Sequence, residues 1–240
     1  MPNLWSWFER YTTDVMGRGS LSHYEMLRHY QLATMTSGEH ALTLLKSARS
    51  QADQLGEVCF GLFLSHWITE HLLWHQRNYE AALQNALAAL VTFRKHQPDC
   101  PLADRLYINL LEAYTEIDAP GYRTEIEDSL AYVRANVPLD AESEGMMGFR
   151  MGLTHLRCGE PDVAEAVARA TLAAVEGQLG GAEGYYQALS YFVLGAVALR
   201  RENYVALGTA AGLGLAAVEY VSPQVYLSEF TLWGALSAHQ

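Results

Sequence analysis

A turn followed by the start of a helix recurs about every forty residues, and this period constrains the fold more than any other feature of the chain. The two clearest copies contain Asn78-Tyr79 within residues 77–83 and Asn203-Tyr204 within residues 202–207. Two further copies stand at residues 120–126 and 159–164. A fixed period of this size indicates a solenoid, in which similar units stack on one another.

The spacing of apolar residues predicts helices along the whole chain. We expect a first helix over residues 3–16 and then helix pairs. The first members are predicted at 21–36, 58–76, 102–117, 142–158, 183–201 and 223–239. The second members are predicted at 38–54, 78–96, 121–135, 161–177 and 203–219. No stretch alternates apolar and polar residues as a half-buried strand does.

Prolines support these boundaries because proline is tolerated only in loops and in the first turn of a helix. The prolines after the N-terminal helix all meet that condition: Pro98, Pro101, Pro120, Pro138, Pro161 and Pro223. The second helices align with starts 41, 43, 39 and 43 residues apart. Small residues at regular positions in them let a paired helix approach closely.

These repeats resemble the tetratricopeptide repeat family. The resemblance rests on the Asn-Tyr pair, on the small residues of the second helices, and on first helices that carry Leu194-Gly195, Met151-Gly152 and Trp233-Gly234. It covers about residues 21–240, and the period is longer than the family's usual 34 or so. Such long repeats look like those of bacterial signal-transduction and transcriptional regulators. HEAT-type repeats, with periods near 40–47 residues, remain the rival.

The resemblance implies an all-α fold, a right-handed superhelix of about five helix-turn-helix repeats. We expect residues 1–20 to form an N-terminal helix that packs on the first repeat. Residues 21–240 are expected to form one continuous domain that finishes in a lone helix. That last helix is either a terminal cap or the point at which a longer regulator continues.

Charge and composition narrow the classes of partner. The net charge is −11, and residues 99–240 carry nineteen acidic and eight basic side chains. An acidic surface repels phosphate backbones, so we expect no direct nucleic-acid binding. No apolar run approaches the roughly 18 residues of a membrane span, and the start of the chain lacks a secretory signal. Three scattered cysteines fit a reducing compartment, so a cytoplasmic protein is expected.

Few motifs in the sequence could bind a metal or carry out catalysis. His71 and His75 are four residues apart, so they share a helix face and could bind a transition metal. No third ligand is identifiable, and the metalloprotease arrangement His-Glu-x-x-His is absent. The chain also has no phosphate-binding loop and no nucleophile elbow. We therefore expect a protein that is not an enzyme and has no cofactor.

A binding groove is the more promising site. In tetratricopeptide arrays the first helix of each pair lines the concave face, so the resemblance implies one inward row per repeat. The predicted row contains Tyr30, Trp67, His71, Trp74, Arg105, Ile108, Glu112, Phe149, Leu153 and Phe192. Two tryptophans would anchor a peptide or helix well, because aromatic residues dominate binding hot spots. The alternative, that these aromatic side chains fill the interior, stays open.

The leading hypothesis is a non-enzymatic scaffold that binds a protein or peptide through this face, in bacterial regulation or complex assembly. One alternative is a domain that senses a small molecule or signal peptide for an output domain beyond residue 240. Another is a homo-oligomerisation module, with a homodimer formed through the apolar terminal helices. No membrane partner is expected.

Overall fold

The computed structural model describes residues 4–96, 100–180, 183–219 and 226–239, and within them the fold is all-α, with no strand. The helices of these residues are α1 (Leu4–Arg18), α2 (Leu21–Thr34), α3 (Gly38–Leu55), α4 (Val58–Trp74), α5 (Tyr79–His96), α6 (Ala103–Asp118), α7 (Arg123–Asn136), α8 (Ala141–Arg157), α9 (Pro161–Val175), α10 (Glu183–Arg200), α11 (Tyr204–Val218) and α12 (Leu227–Ala238). None of these described helices has both the length and the hydropathy that crossing a membrane requires.

The all-α fold and the order of helix pairs predicted from the sequence are confirmed, with most boundaries within two or three residues. The last helix begins at Leu227, whereas the sequence predicts residue 223. Pro98 and Pro223, which the prediction placed at boundaries, lie outside the described residues. The right-handed superhelix stays a prediction.

The repeated Asn-Tyr pair starts a helix for a specific physical reason. The side-chain oxygens of Asn78 and Asn203 accept hydrogen bonds from the backbone N–H three residues on, at 3.2 and 3.1 Å. This satisfies a donor that the first turn of a helix leaves unpaired. The preceding residues Arg77 and Glu202, and Gly159 in the copy between them, all have positive φ. Three of the four copies therefore share a backbone turn as well as a sequence pattern.

Contacts divide the chain into two compact units. The first unit comprises residues 1–117 and 124–138, and the second comprises residues 118–123 and 139–240. Consecutive helices pack on each other from α2 to α5 in the first unit and from α8 to α12 in the second. This packing of successive helices is the arrangement expected of a helical repeat. The single domain expected over residues 21–240 stays a prediction.

The core of the second unit depends on close approach between helices. Val193 and Phe149 are essentially inaccessible there, together with Ala164 and Ala168 of α9. A Cβ atom on Gly152 would lie 2.9 Å from the Val193 side chain, and one on Gly195 would overlap the ring of Trp233. Glycine at these positions therefore lets α8, α10 and α12 come closer than any larger residue would.

Candidate functional site

Helix α1 is held on the first unit by aromatic rings of α2 and α4. Phe8 stacks on Phe63 with ring centroids 4.9 Å apart, and Tyr11 stacks on Phe60 at 5.0 Å. Tyr30 of α2 lies edge-on to Phe8 at 5.3 Å. Each such ring pair contributes about 0.5–1.5 kcal/mol beyond the area it buries. Helix α1 thus covers part of the aromatic surface that the sequence assigns to a partner.

Three tryptophans of α1 and α4, namely Trp5, Trp67 and Trp74, form what we call the tryptophan face. Trp67 is half-buried, with its ring 6.4 Å from Trp5. Trp5 and Trp74 keep 47% and 42% of their surface exposed. Trp67 and Trp74 are seven residues apart, so they project from the same side of α4. The indole Nε1 of Trp67 is buried and has no hydrogen-bond partner. The face combines accessible aromatic surface with an unused donor.

A buried polar pair lies beside the tryptophan face, where the His66 ring is 5.2 Å from that of Trp67. The Asn109 Nδ2 atom of α6 is 3.1 Å from the backbone oxygen of His66 and 2.9 Å from its ring Nδ1. Because a carbonyl oxygen can only accept, Nδ2 is the donor to both atoms. The neutral His66 ring therefore carries its proton on Nε2. The Oδ1 atom of Asn109 is buried without a hydrogen-bond partner.

The electrostatics of this pair keep the imidazole neutral. Burial, and then the nearby positive charge of Arg105, lower the pKa of His66 to about 3, against an opposing effect of the Asn109 hydrogen bond. The Arg105 side chain is itself mostly covered, and its Nε lies 3.8 Å from an Asp104 carboxylate oxygen. At neutral pH His66 thus offers an N–H donor and no charge.

His71 and His75, the candidate metal ligands, have ring centroids 4.7 Å apart. Burial, followed by the neighbouring His75, lowers the pKa of His71, and a hydrogen bond with the backbone of Gly38 opposes that shift. The Nε2 atom of His71 is buried without a partner. In the part of the chain that the structure describes, no third His, Cys, Asp or Glu joins this pair in a cluster suited to a metal ion.

The remaining members of the predicted row need correction. Five of its side chains are at least nine-tenths buried: Tyr30, His71, Ile108, Glu112 and Phe149. Such residues cannot anchor a partner in this conformation. Leu153 and Phe192 are half-buried against the core of the second unit, where Phe192 stacks on Tyr226 at 3.8 Å. The helical register predicts which residues share a face, but it does not reveal which neighbouring helix covers that face.

In the first unit, the members of the row that remain at least partly accessible are Trp67, Trp74 and Arg105. The sequence analysis missed Trp5 and His66 as parts of this site. The sequence does contain one indication that His66 and Asn109 are neighbours. They are 43 residues apart, which is the length of one repeat. Equivalent positions of neighbouring repeats are expected to lie close together.

Comparison with known proteins adds no relative, since no family model, curated protein or solved structure matches the chain. The tetratricopeptide resemblance therefore rests on the residues quoted above, and the function is argued from the site.

Proposed function

We propose that this chain is a non-enzymatic, tetratricopeptide-like scaffold that binds a protein or peptide through the tryptophan face, in bacterial regulation or complex assembly. The all-α repeat architecture supports the scaffold part of the proposal. Repeat arrays present extended surfaces that are well suited to binding.

The observation that carries the proposal is the pairing of exposed tryptophan surface with buried, unused hydrogen-bonding atoms. The Trp67 Nε1 donor and the Asn109 Oδ1 acceptor both lie next to His66, and neither has a partner. Leaving such an atom unsatisfied costs about 1–3 kcal/mol. A peptide carbonyl oxygen could accept from Trp67 Nε1 if the half-buried indole moves outward, whereas Asn109 Oδ1 belongs to a side chain that is only 1% exposed. Indole rings supply the apolar contact area typical of hot spots.

The face is also held in place before any partner arrives. The ring centroid of Phe63 lies 6.2 Å from that of Trp67 and 6.0 Å from that of Trp7. Packed rings of α1 and α4 therefore hold the Trp67 indole in place. A side chain that is already ordered loses little conformational entropy on binding. Binding at this face therefore needs fewer favourable contacts to reach a given affinity.

An affinity capture from the source cell's lysate tests the proposal. It compares the wild type with a Trp67→Ala, Trp74→Ala double variant and with a Val91→Ala control, which removes an exposed apolar side chain of α5 in the same unit. Circular dichroism establishes that all three are folded. The proposal expects a partner that the wild type and the control retain and the double variant loses. Equal capture by all three would show that the tryptophan face is not the binding surface.

A further inference from the structure

Helices α9, α10 and α11 of the second unit line an open cleft with a volume of about 490 Å³, here called the α9–α11 cleft. Leu194 and Val197 of α10 line it, with Leu172 of α9 and Leu213 of α11 on either side. Leu213 keeps 46% of its surface exposed. Polar side chains, among them Glu165, Arg169 and Arg201, line the rest of the cleft. A concave volume of this size, with apolar side chains and a few polar groups, is suited to holding part of a partner.

One rim of the cleft is charged, but its charges cancel. Glu165 accepts hydrogen bonds from Arg169 at 2.8 Å and from Arg201 at 2.5 Å, and Arg201 also binds Asp162. The hydrogen bonds from Arg201 and then Arg169 lower the pKa of the Glu165 carboxyl, so it stays ionised at neutral pH. Two acids and two bases leave this rim without net charge. Any charge preference of the cleft must come from its ends.

The ends of α9 and α11 supply such a preference. Arg201, just after the C-terminal end of α10, binds Asp162 at the start of α9, so α10 runs antiparallel to α9. Because α11 follows α10 after a short turn and runs back along it, α9 and α11 are parallel. Exposed Glu176 and Glu219 follow directly as their C-terminal caps. Neither helix has a basic residue in its last turn. Because a helix C-terminus already carries partial negative charge, these two ends favour a cation.

The α11 wall of the cleft favours the apolar face of a helix. Helix α11 contains no charged residue, and α9 and α11 each have 15 residues. At 1.5 Å per residue each wall is roughly 22 Å long, enough for about four turns of another helix. The chain as a whole carries a net charge of −11, which attracts basic partners over longer distances.

We propose that the α9–α11 cleft docks an amphipathic helix of a partner protein, with its apolar face in the cleft and lysines or arginines beside Glu176 and Glu219. This is a helix-in-groove mode, in which apolar residues at i, i+3 or i+4 and i+7 act as anchors. The surface belongs to the second unit and is independent of the tryptophan face.

Fluorescence anisotropy with a designed peptide tests this docking. The probe is a labelled helix of about four turns with leucines at i, i+4, i+7 and i+11 and lysines at its C-terminal end, or at its N-terminal end in a second version. A third version replaces the lysines with glutamates. At least one lysine version should bind the full chain, and the glutamate version should bind about tenfold more weakly or not at all. No binding of either lysine version, or equal binding of the glutamate version, would overturn the proposal.

Two matched variants locate the binding. Leu213→Asp places a charge in the cleft and should weaken the lysine peptide about tenfold. Leu232→Asp changes a side chain of α12 that is 58% exposed and does not line the cleft, so affinity should stay within about twofold. Equal losses in the two variants would overturn the assignment of the peptide to this cleft.

Two further variants test the role of the two carboxylates and the independence of the cleft from the tryptophan face. Glu176→Gln combined with Glu219→Gln should weaken the lysine peptide several-fold and reduce its dependence on salt between about 50 and 300 mM. Unchanged affinity would overturn the role assigned to these carboxylates. The Trp67→Ala, Trp74→Ala variant should bind the peptide as the wild type does, and loss of binding there would contradict an independent site.

Discussion

The two units of this protein bring helices together by different means. In the first unit, α4 packs through large rings and polar side chains, and Asn85 donates to the Ser65 carbonyl and to Thr69, both at 2.8 Å. In the second unit, glycines allow direct approach, and a Cβ on Gly145 would lie 2.7 Å from the ring of Tyr186. Both units bury polar side chains, such as Asn109 in the first and Ser143 and Ser190 in the second.

The first unit also contains buried polar atoms that lack a hydrogen-bond partner. Three buried atoms without hydrogen-bond partners, Trp67 Nε1, His71 Nε2 and Asn109 Oδ1, belong to the first unit. Buried polar groups are normally satisfied, so each such atom calls for a ligand, a water molecule or a functional reason. Of these three side chains only Trp67 is half-buried rather than buried, so we expect hydrogen-bonded recognition in the first unit to involve its Nε1.

The largest expected effect is the loss of an aromatic ring from the first unit. Phe63 is inaccessible and contacts Phe8, Phe60 and Trp67. Phe63→Ala should lower the free energy of unfolding by about 3–5 kcal/mol. Urea titration followed by tryptophan fluorescence measures this, because all the tryptophans except Trp233 belong to the first unit. A loss below about 1 kcal/mol would show that the rings do not form a packed core.

A smaller effect is expected from filling a close approach in the second unit. Gly195→Ala places a Cβ into the Trp233 ring and should cost about 2–3 kcal/mol. Gly212→Ala on α11 is the matched control, because nothing lies within 4 Å of its Cβ position. The control should gain about 0.5–1 kcal/mol, since alanine favours the helix. Thermal unfolding followed by circular dichroism compares the two variants. Equal shifts in their unfolding temperatures would show that close approach at Gly195 does not distinguish the packing of the second unit.

The smallest expected effect concerns pH and the polar pair of the first unit. The pKa of His66 is lowered to about 3, and an unfolded histidine titrates near 6.5. As pH falls below about 6.5 the unfolded state binds the proton first, so stability present at neutral pH is progressively lost toward pH 3. The wild type should lose about 2 kcal/mol more between pH 7 and 5 than a His66→Gln variant. Urea titrations at both pH values measure this.

Nuclear magnetic resonance provides an independent check of the same point. The His66 ring signals should not titrate between pH 8 and 5, because the lowered pKa lies well below that range. A midpoint near 6.5 would mean that the imidazole is exposed to solvent and that the polar pair is not formed.

The sequence predicted the helices well because its signals are local. Asn78 and Asn203 mark helix starts through their own side-chain hydrogen bonds, and apolar spacing marks the faces. The binding row was predicted less well, because burial depends on what covers a face. Tyr30 is covered by α1, and Phe149 lies among α9 and α10 side chains, which no single helix encodes. The α9–α11 cleft was likewise invisible, since three separate helices form it.

Hydrogen exchange measured by mass spectrometry tests most directly the central proposal that the tryptophan face of the first unit binds a partner. The exchange of the wild-type chain is followed alone and with the partner that the wild type captures and the tryptophan double variant loses. The account predicts slower exchange in α1, α4 and α6, which carry Trp5, Trp67, Trp74 and Asn109. Exchange slowed only in α9 to α12, with the first unit unchanged, would contradict it.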